Sequence, residues 1–216
     1  MGVRTDPLAE KHDRGSLFRD QLEELSGYLR SEISAGRPLL TPAPERDLSS
    51  VVWVAAREPE SIDAAARLGL NFVVGQAEHG VQQRHYVDHF RAAGGTGQTK
   101  GARMVLVANT DAEAHVHAAA PAWRTFNQMK NGRYYQLAVE QGRIPTSEPT
   151  DLTDLLQRIE FVAGSPESVA AGLRRYLSDT AVDRLDIMVH VPGVPHSAVQ
   201  RSMRLFARDV APLLAA

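Results

Sequence analysis

The chain of 216 residues contains no cysteine, which excludes disulfides and thiolate metal sites. No stretch approaches the roughly 18 consecutive apolar residues that a membrane helix needs. The opening residues Met1 to Asp6 hold no apolar signal core. Gly2 is followed by Asp6, where a myristoylation signal would carry Ser or Thr. An excess of one charge is missing too: 24 Lys and Arg face 26 Asp and Glu, a formal charge near −2. That balance gives no basis for a nucleic-acid or anionic-membrane partner. Three catalytic signatures are absent. No glycine-rich turn ends in GK[ST], no G-x-S-x-G marks a hydrolase, and no H-E-x-x-H marks a zinc protease. The expectation is a soluble cytoplasmic protein of one domain, long enough to bury a real core.

What is present centres on residues 51–75. Val51 to Ala55 form an apolar, Val-rich run that suits a strand covered on both faces. Pro59 and Glu60 suit a first helical turn, with Glu58 an unusual cap. Ile62, Ala65, Ala66 and Gly69 place small and apolar groups on one side, and Asn71 to Gly75 read as a second strand. The result is a βαβ unit with parallel strands. Its loop, Ala56 to Ser61, lies at the carboxyl end of the first strand, where α/β proteins commonly place ligands.

Residues 1–15 read as loosely held, with Pro7 and Gly15 as breakers, and residues 16–33 as a helix. Proline-bearing residues 36–49 form an extended connection. A helix over Gln82 to Ala92 leads to a flexible turn, Gly94 to Gly97. Arg103 to Ala108 form a strand, and Thr110 with Glu113 supplies a capping box for the next helix. Residues 123–160 look irregular and insertion-like, with a helix from about Leu152 to Ile159. Ser165 and Pro166 start another helix strongly, followed by a strand over Leu185 to Val191 and a last helix from Ser197 to Leu214. The phrases PESIDAA (59–65) and PESVAAG (166–172) are similar helix starts. Four core strands alternate with helices, which implies an α/β fold. They are too few for a full eight-unit barrel, which takes about 250 residues.

Three stretches resemble the carboxyl-terminal part of the bacterial luciferase-like flavin monooxygenases. They are Val52 to Ser61 with Ala64 to Leu70, then Arg103 to Ala108 with Thr110 to Ala114, and then Val162 to Val169 with Val182-Asp183 and the ending Ser202 to Leu213. Together they span nearly all of residues 16–214. The resemblance implies a partial TIM-type (β/α)8 barrel lacking the first four strands, in one domain over residues 1–216. It implies FMN, reduced by a separate flavin reductase, with the deazaflavin F420 a lesser option. It further implies O2-dependent oxidation of an aldehyde or other small organic substrate, and a homo- or hetero-oligomer with a fuller family member. A noncatalytic flavin-binding or assembly subunit and an inactive truncated homologue are the alternatives. The family's catalytic positions in the absent strands have no counterpart here. Half a barrel also leaves strand edges and a sheet face to be covered.

The resemblance assigns the flavin phosphate to the loop holding Ala56, Arg57, Glu58 and Ser61. A helix start and a guanidinium both suit an anion, whereas the carboxylates of Glu58 and Glu60 oppose one unless they point away. A helix cap with a surface arginine is the plain alternative. His190, at the end of a buried-looking strand, is the one catalytic candidate, against a structural histidine. Capping explains Ser165 and Ser168 without a ligand. His85 and His89 share a helix face, but they and His79 make no metal motif, and His115 and His117 lie on different faces. Gly164, Gly193, Trp123, Phe126, Tyr134 and Tyr135 either shape a pocket or form a satellite core.

Overall fold

The structure, a computed structural model, describes residues 7–30, 33–34, 37–38, 41–42, 45–75, 80–142 and 144–215. Helix α1 (Pro7–Leu29) starts at the proline expected to break the chain. A proline in a first helical turn leaves no bond unmade, because its missing N–H would have no intrahelical partner there. Residues 1–6 lie outside the described residues. The helix stops before Ile33, and Ile33–Ser34 (β1) pairs antiparallel with Arg37–Pro38 (β2).

Strands and helices then alternate. They are β3 (Trp53–Ala55), α2 (Pro59–Arg67), β4 (Asn71–Val73), α3 (Gly80–Ala92), β5 (Thr99–Val107), α4 (Asp111–Met129), α5 (Arg133–Glu140) and α6 (Leu152–Arg158). After them come β6 (Phe161–Gly164), α7 (Pro166–Thr180), β7 (Arg184–Met188), α8 (His196–Leu205) and α9 (Ala211–Ala215), with a π-helical turn over Phe206–Val210 before α9. The pairings β3–β4, β5–β6 and β5–β7 are all parallel. The fold is α/β, a partial TIM-type barrel with five parallel strands among the described residues. The strand beyond the four expected is β6. No helix among the described residues is long and apolar enough to cross a membrane.

The chain divides into two compact units: Met1–Val74 with Tyr86–Thr99, and Gly75–His85 with Lys100–Ala216. In the first, Trp53, Val54 and Ala55 stand opposite Asn71, Phe72 and Val73. Val54 and Phe72 share the buried face, with Ile62, Ala65 and Ala66 of α2 also buried. Phe90 stacks on Phe72 at 5.3 Å between ring centroids. On the other face Asn71 is buried, Trp53 and Val73 are half-buried and Ala55 is exposed, so this face is covered only in part. The turn after α3 is packed rather than flexible. A Cβ at Gly97 would stand 2.1 Å from the Leu70 carbonyl oxygen, so only glycine allows that approach. Arg91 fixes the turn further by donating to the carbonyls of Gly95 (2.8 Å) and Gly97 (2.6 Å).

In the second unit β5 is central. Met104 stands in register with Phe161 of β6 and with Met188 of β7, which places these strands on its two edges. Met104 and Leu106 belong to a cluster with Ala118 and Phe126 of α4 and Leu155 of α6. Val105 and Val107 belong to another, with Val169 and Leu173 of α7 and Leu205 of α8. Helices therefore cover both faces of β5. Residues 123–160, expected to be irregular, are mostly helical and build the first cluster. Their last loop is held by Arg158, which donates to the Asp154 carboxylate (2.8 and 2.7 Å) and to the carbonyls of Pro145 (3.3 Å) and Ser147. The strand expected over 185–191 ends at Met188 and alternates between exposed and half-buried positions. Among the described residues β7 pairs only with β5.

Candidate functional site

The loop from β3 to α2 brings together all four residues assigned to the flavin phosphate. Ala56 continues the buried side of β3, Arg57 is half-buried, Glu58 is exposed and Ser61 is buried in the first turn of α2. Glu58 occupies the cap position with extended backbone, but its side chain makes no capping bond. Its carbonyl instead accepts the N–H groups of Ser61 (3.0 Å) and Ile62 (3.1 Å). Pro59, at the first helical position, has no N–H. The backbone at this helix end thus offers little to an anion. Its suitability rests on the Arg57 guanidinium, the Ser61 hydroxyl and the positive end of the α2 dipole.

The start of α7 behaves differently. Ser165 caps the helix by accepting the Ser168 N–H at 3.3 Å. The Asp111 carboxylate, at the start of α4, accepts the Ser165 N–H (2.6 Å) and the Ser168 hydroxyl (3.0 Å). A Cβ at Gly164 would sit 2.7 Å from Asp111 Oδ1, so glycine makes room for this carboxylate. These hydrogen bonds, the Ser165 N–H foremost, hold the Asp111 pKa below its ordinary 3.8. The chain thus fills this helix end with its own anion.

His190 does not end a buried strand. It lies beyond β7 and is exposed. That edge strand lacks the covering which two-sided burial assumed. His89 Nε2 lies 2.9 Å from Asp63 Oδ1. His79 lies outside the described residues, and among the described residues no three His, Asp or Glu converge to hold a metal. Trp123, Phe126 and Tyr135 meet edge to face, at 5.8 and 5.7 Å between centroids, and Phe126 and Tyr135 belong to the α4–α6 cluster. Tyr134 lies in α5.

The sequence reading missed a buried polar network in the second unit. Arg103 is 2% exposed in the middle of β5. It donates to Gln83 Oε1 (3.1 Å), pairs with Glu160, and stacks 3.9 Å from the Tyr176 ring centroid. Tyr176 donates to the same Gln83 oxygen at 2.7 Å, and Glu160 accepts the Gly80 N–H at 2.8 Å. Burial, above all, raises the Tyr176 pKa, so the phenol stays a neutral donor. Glu160 adopts the left-handed backbone (φ 52°), a conformation rare for a non-glycine residue. The signal for this network was the arginine at the head of an apolar strand, since buried charges are almost always paired. Beside the network lies a cavity of about 760 Å³, within the second unit.

The luciferase-like monooxygenase family matches residues 9–184, and the chain belongs to that family. Over 183 residues it is 27% identical to the N-acetyl-S-alkylcysteine monooxygenase of Bacillus subtilis (strain 168), covering 80% of this chain and 54% of that protein. Its fold matches apo-MsnO8 with a TM-score of 0.62 at 24% identity, covering 93% of this chain and 60% of that one. It also matches the oxygenating constituent of 3,6-diketocamphane monooxygenase of Pseudomonas putida, a structure in complex with FMN. There the TM-score is 0.59 at 18% identity, over 85% of this chain and 52% of that one. The chain therefore spans little more than half the length of the relatives it matches.

Proposed function

We propose that this chain carries the phosphate end of a flavin site and acts as an FMN-dependent monooxygenase or a component of one. One observation carries the reading: Arg57 lies in the loop after β3 and the buried Ser61 in the helical turn that follows, in a chain of the luciferase-like family. When bound, reduced FMN supplies the activation of O2 for oxidising an aldehyde or other small organic substrate. Arg57 binds the phosphate through its guanidinium, and Ser61 adds a hydroxyl at the positive end of α2. The exposed Glu58 carboxylate stays in water, away from that charge. A separate flavin reductase delivers the reduced cofactor, and FMN rather than F420 is the flavin. A partner, a fuller family member in a homo- or hetero-oligomer, completes the wall around the flavin ring.

A second reading is a noncatalytic flavin-binding or assembly subunit, since these residues hold no counterpart of the family's catalytic positions. Titration of the chain with FMN, followed by fluorescence quenching, tests the site. Saturable binding that weakens about tenfold in Arg57→Ala is expected, the effect of one lost charge-assisted contact. An affinity unchanged by Arg57→Ala removes the phosphate assignment. A product assay with a flavin reductase and NADH separates the two readings, because the noncatalytic subunit binds FMN without forming product.

A further inference from the structure

Helix α4 turns an uncharged face to solvent. Positions 112, 116, 120, 123 and 127 are spaced by three and four, so they run along one side of the helix. They hold Ala112, Val116, Ala120, Trp123 and Asn127, all exposed. Val116 is 77% exposed and Trp123 39%, whereas Ala118, Ala122 and Phe126 on the other side are buried in the core. Two large apolar groups on one charge-free face make a patch rather than scattered surface residues. The Trp123 ring stands edge to face on Phe126 at 5.8 Å, which orients it before any partner arrives.

The face is complementary to itself. Turned end for end, a second α4 brings Val116 opposite Trp123 and sets Ala119 against Ala120 at the centre, because both pairs share one midpoint along the helix. Alanines there let the two helix axes approach to about 8 Å, the near end of the usual range. Glu113 and Arg124 border the face on the same flank, toward opposite ends, so this pairing sets each Arg124 beside the other copy's Glu113. Arg124 meets the carbonyl of Pro192 (3.3 Å) and, among the described residues, no carboxylate. Glu113 accepts Arg201 (2.5 Å) and both nitrogens of Asn109 (3.1 and 3.2 Å), three of the roughly four donors a carboxylate can take.

We propose that α4 is a self-association surface, on which a second copy of this chain docks antiparallel through Val116, Ala120 and Trp123. A second copy fits because apolar groups, small residues and opposite charges all match under one two-fold axis. One helix pair is smaller than a standard interface, so the dimer forms in a concentration-dependent way. The contact does not depend on the flavin reading. Sedimentation equilibrium of the full chain without flavin, from about micromolar to millimolar concentration, tests it. A monomer–dimer equilibrium is expected. Trp123→Ala is expected to weaken it at least about tenfold, as for a buried aromatic anchor. Ala120→Arg brings two cations to the axis and is expected to leave a monomer, with circular dichroism checking that both variants keep the fold. The chain has no cysteine, so Ala120→Cys adds a lone thiol. Oxidised glutathione is expected to link two copies through it, and to leave a control, Glu167→Cys on the exposed start of α7, unlinked. A chain monomeric throughout, a dimer that either Trp123→Ala or Ala120→Arg leaves unchanged, or no preference for linkage at Ala120→Cys overturns the proposal.

Discussion

Arg103 sets the terms for the middle of the second unit. A guanidinium that is 2% exposed must be neutralised where it stands, and Glu160 does this while Gln83 and Tyr176 occupy the remaining directions. Removing one partner leaves the other charge buried and uncompensated. Arg103→Met is therefore expected to destabilise the chain by about 3–5 kcal/mol in urea unfolding. Arg103→Met combined with Glu160→Gln is expected to recover part of that loss. A double variant no more stable than the single one would show that Glu160 is not the compensating charge. Asp154 is a half-buried counterpart. Arg158 holds its carboxylate in a two-pronged pair, which, with the Thr150 N–H, lowers its pKa to about 2.

At the scale of elements, α2 and α7 show how similar words give different ends. Both begin with Pro-Glu-Ser, and both place the proline at the first helical position. The residue before it decides the rest. Ser165 caps α7 with its hydroxyl, whereas Glu58 leaves α2 without a side-chain cap. Asp111 then completes the α7 end. Its folded-state pKa is depressed, so its stabilising effect is complete above its unfolded pKa and is lost as pH falls through the lowered folded value. Asp111→Ala is expected to lower the thermal midpoint at pH 7 by about 2–4 °C, the shift for one lost helix-end contact in a chain this size. The gap to the parent should close as pH is taken well below 3.8. A gap that does not narrow as pH falls would assign the effect to packing instead. Local capping signals made helix starts legible in the sequence: Thr110 and Ser165 both cap as their residue types suggest. Asp111 was not legible as a partner of α7, because its acceptors' donors lie far along the chain.

Across the whole molecule, the parallel α/β character and the luciferase-like class could be read from the sequence, because hydrophobic runs and helix starts alternate along it. What escaped depended on tertiary context. Residues 123–160 looked irregular, since their glycines and prolines mark the breaks between helices, while the packing of Phe126, Tyr135 and Leu155 that makes them core comes from distant strands. His190 was placed on a buried strand, because an apolar sequence does not reveal whether both faces find cover; β7 has exposed alternate positions. The β3–α2 loop was singled out through the family resemblance, and there the structure shows Ser61 buried and Glu58 exposed. The central claim is that this loop recognises a flavin through its phosphate. Riboflavin carries the same ring system without that phosphate, so parallel fluorescence titrations with FMN and riboflavin test the claim most directly. The account predicts FMN binding at least about tenfold tighter than riboflavin, with the difference abolished in Arg57→Ala. Equal affinity for the two flavins, or binding of neither at millimolar concentration, would contradict it.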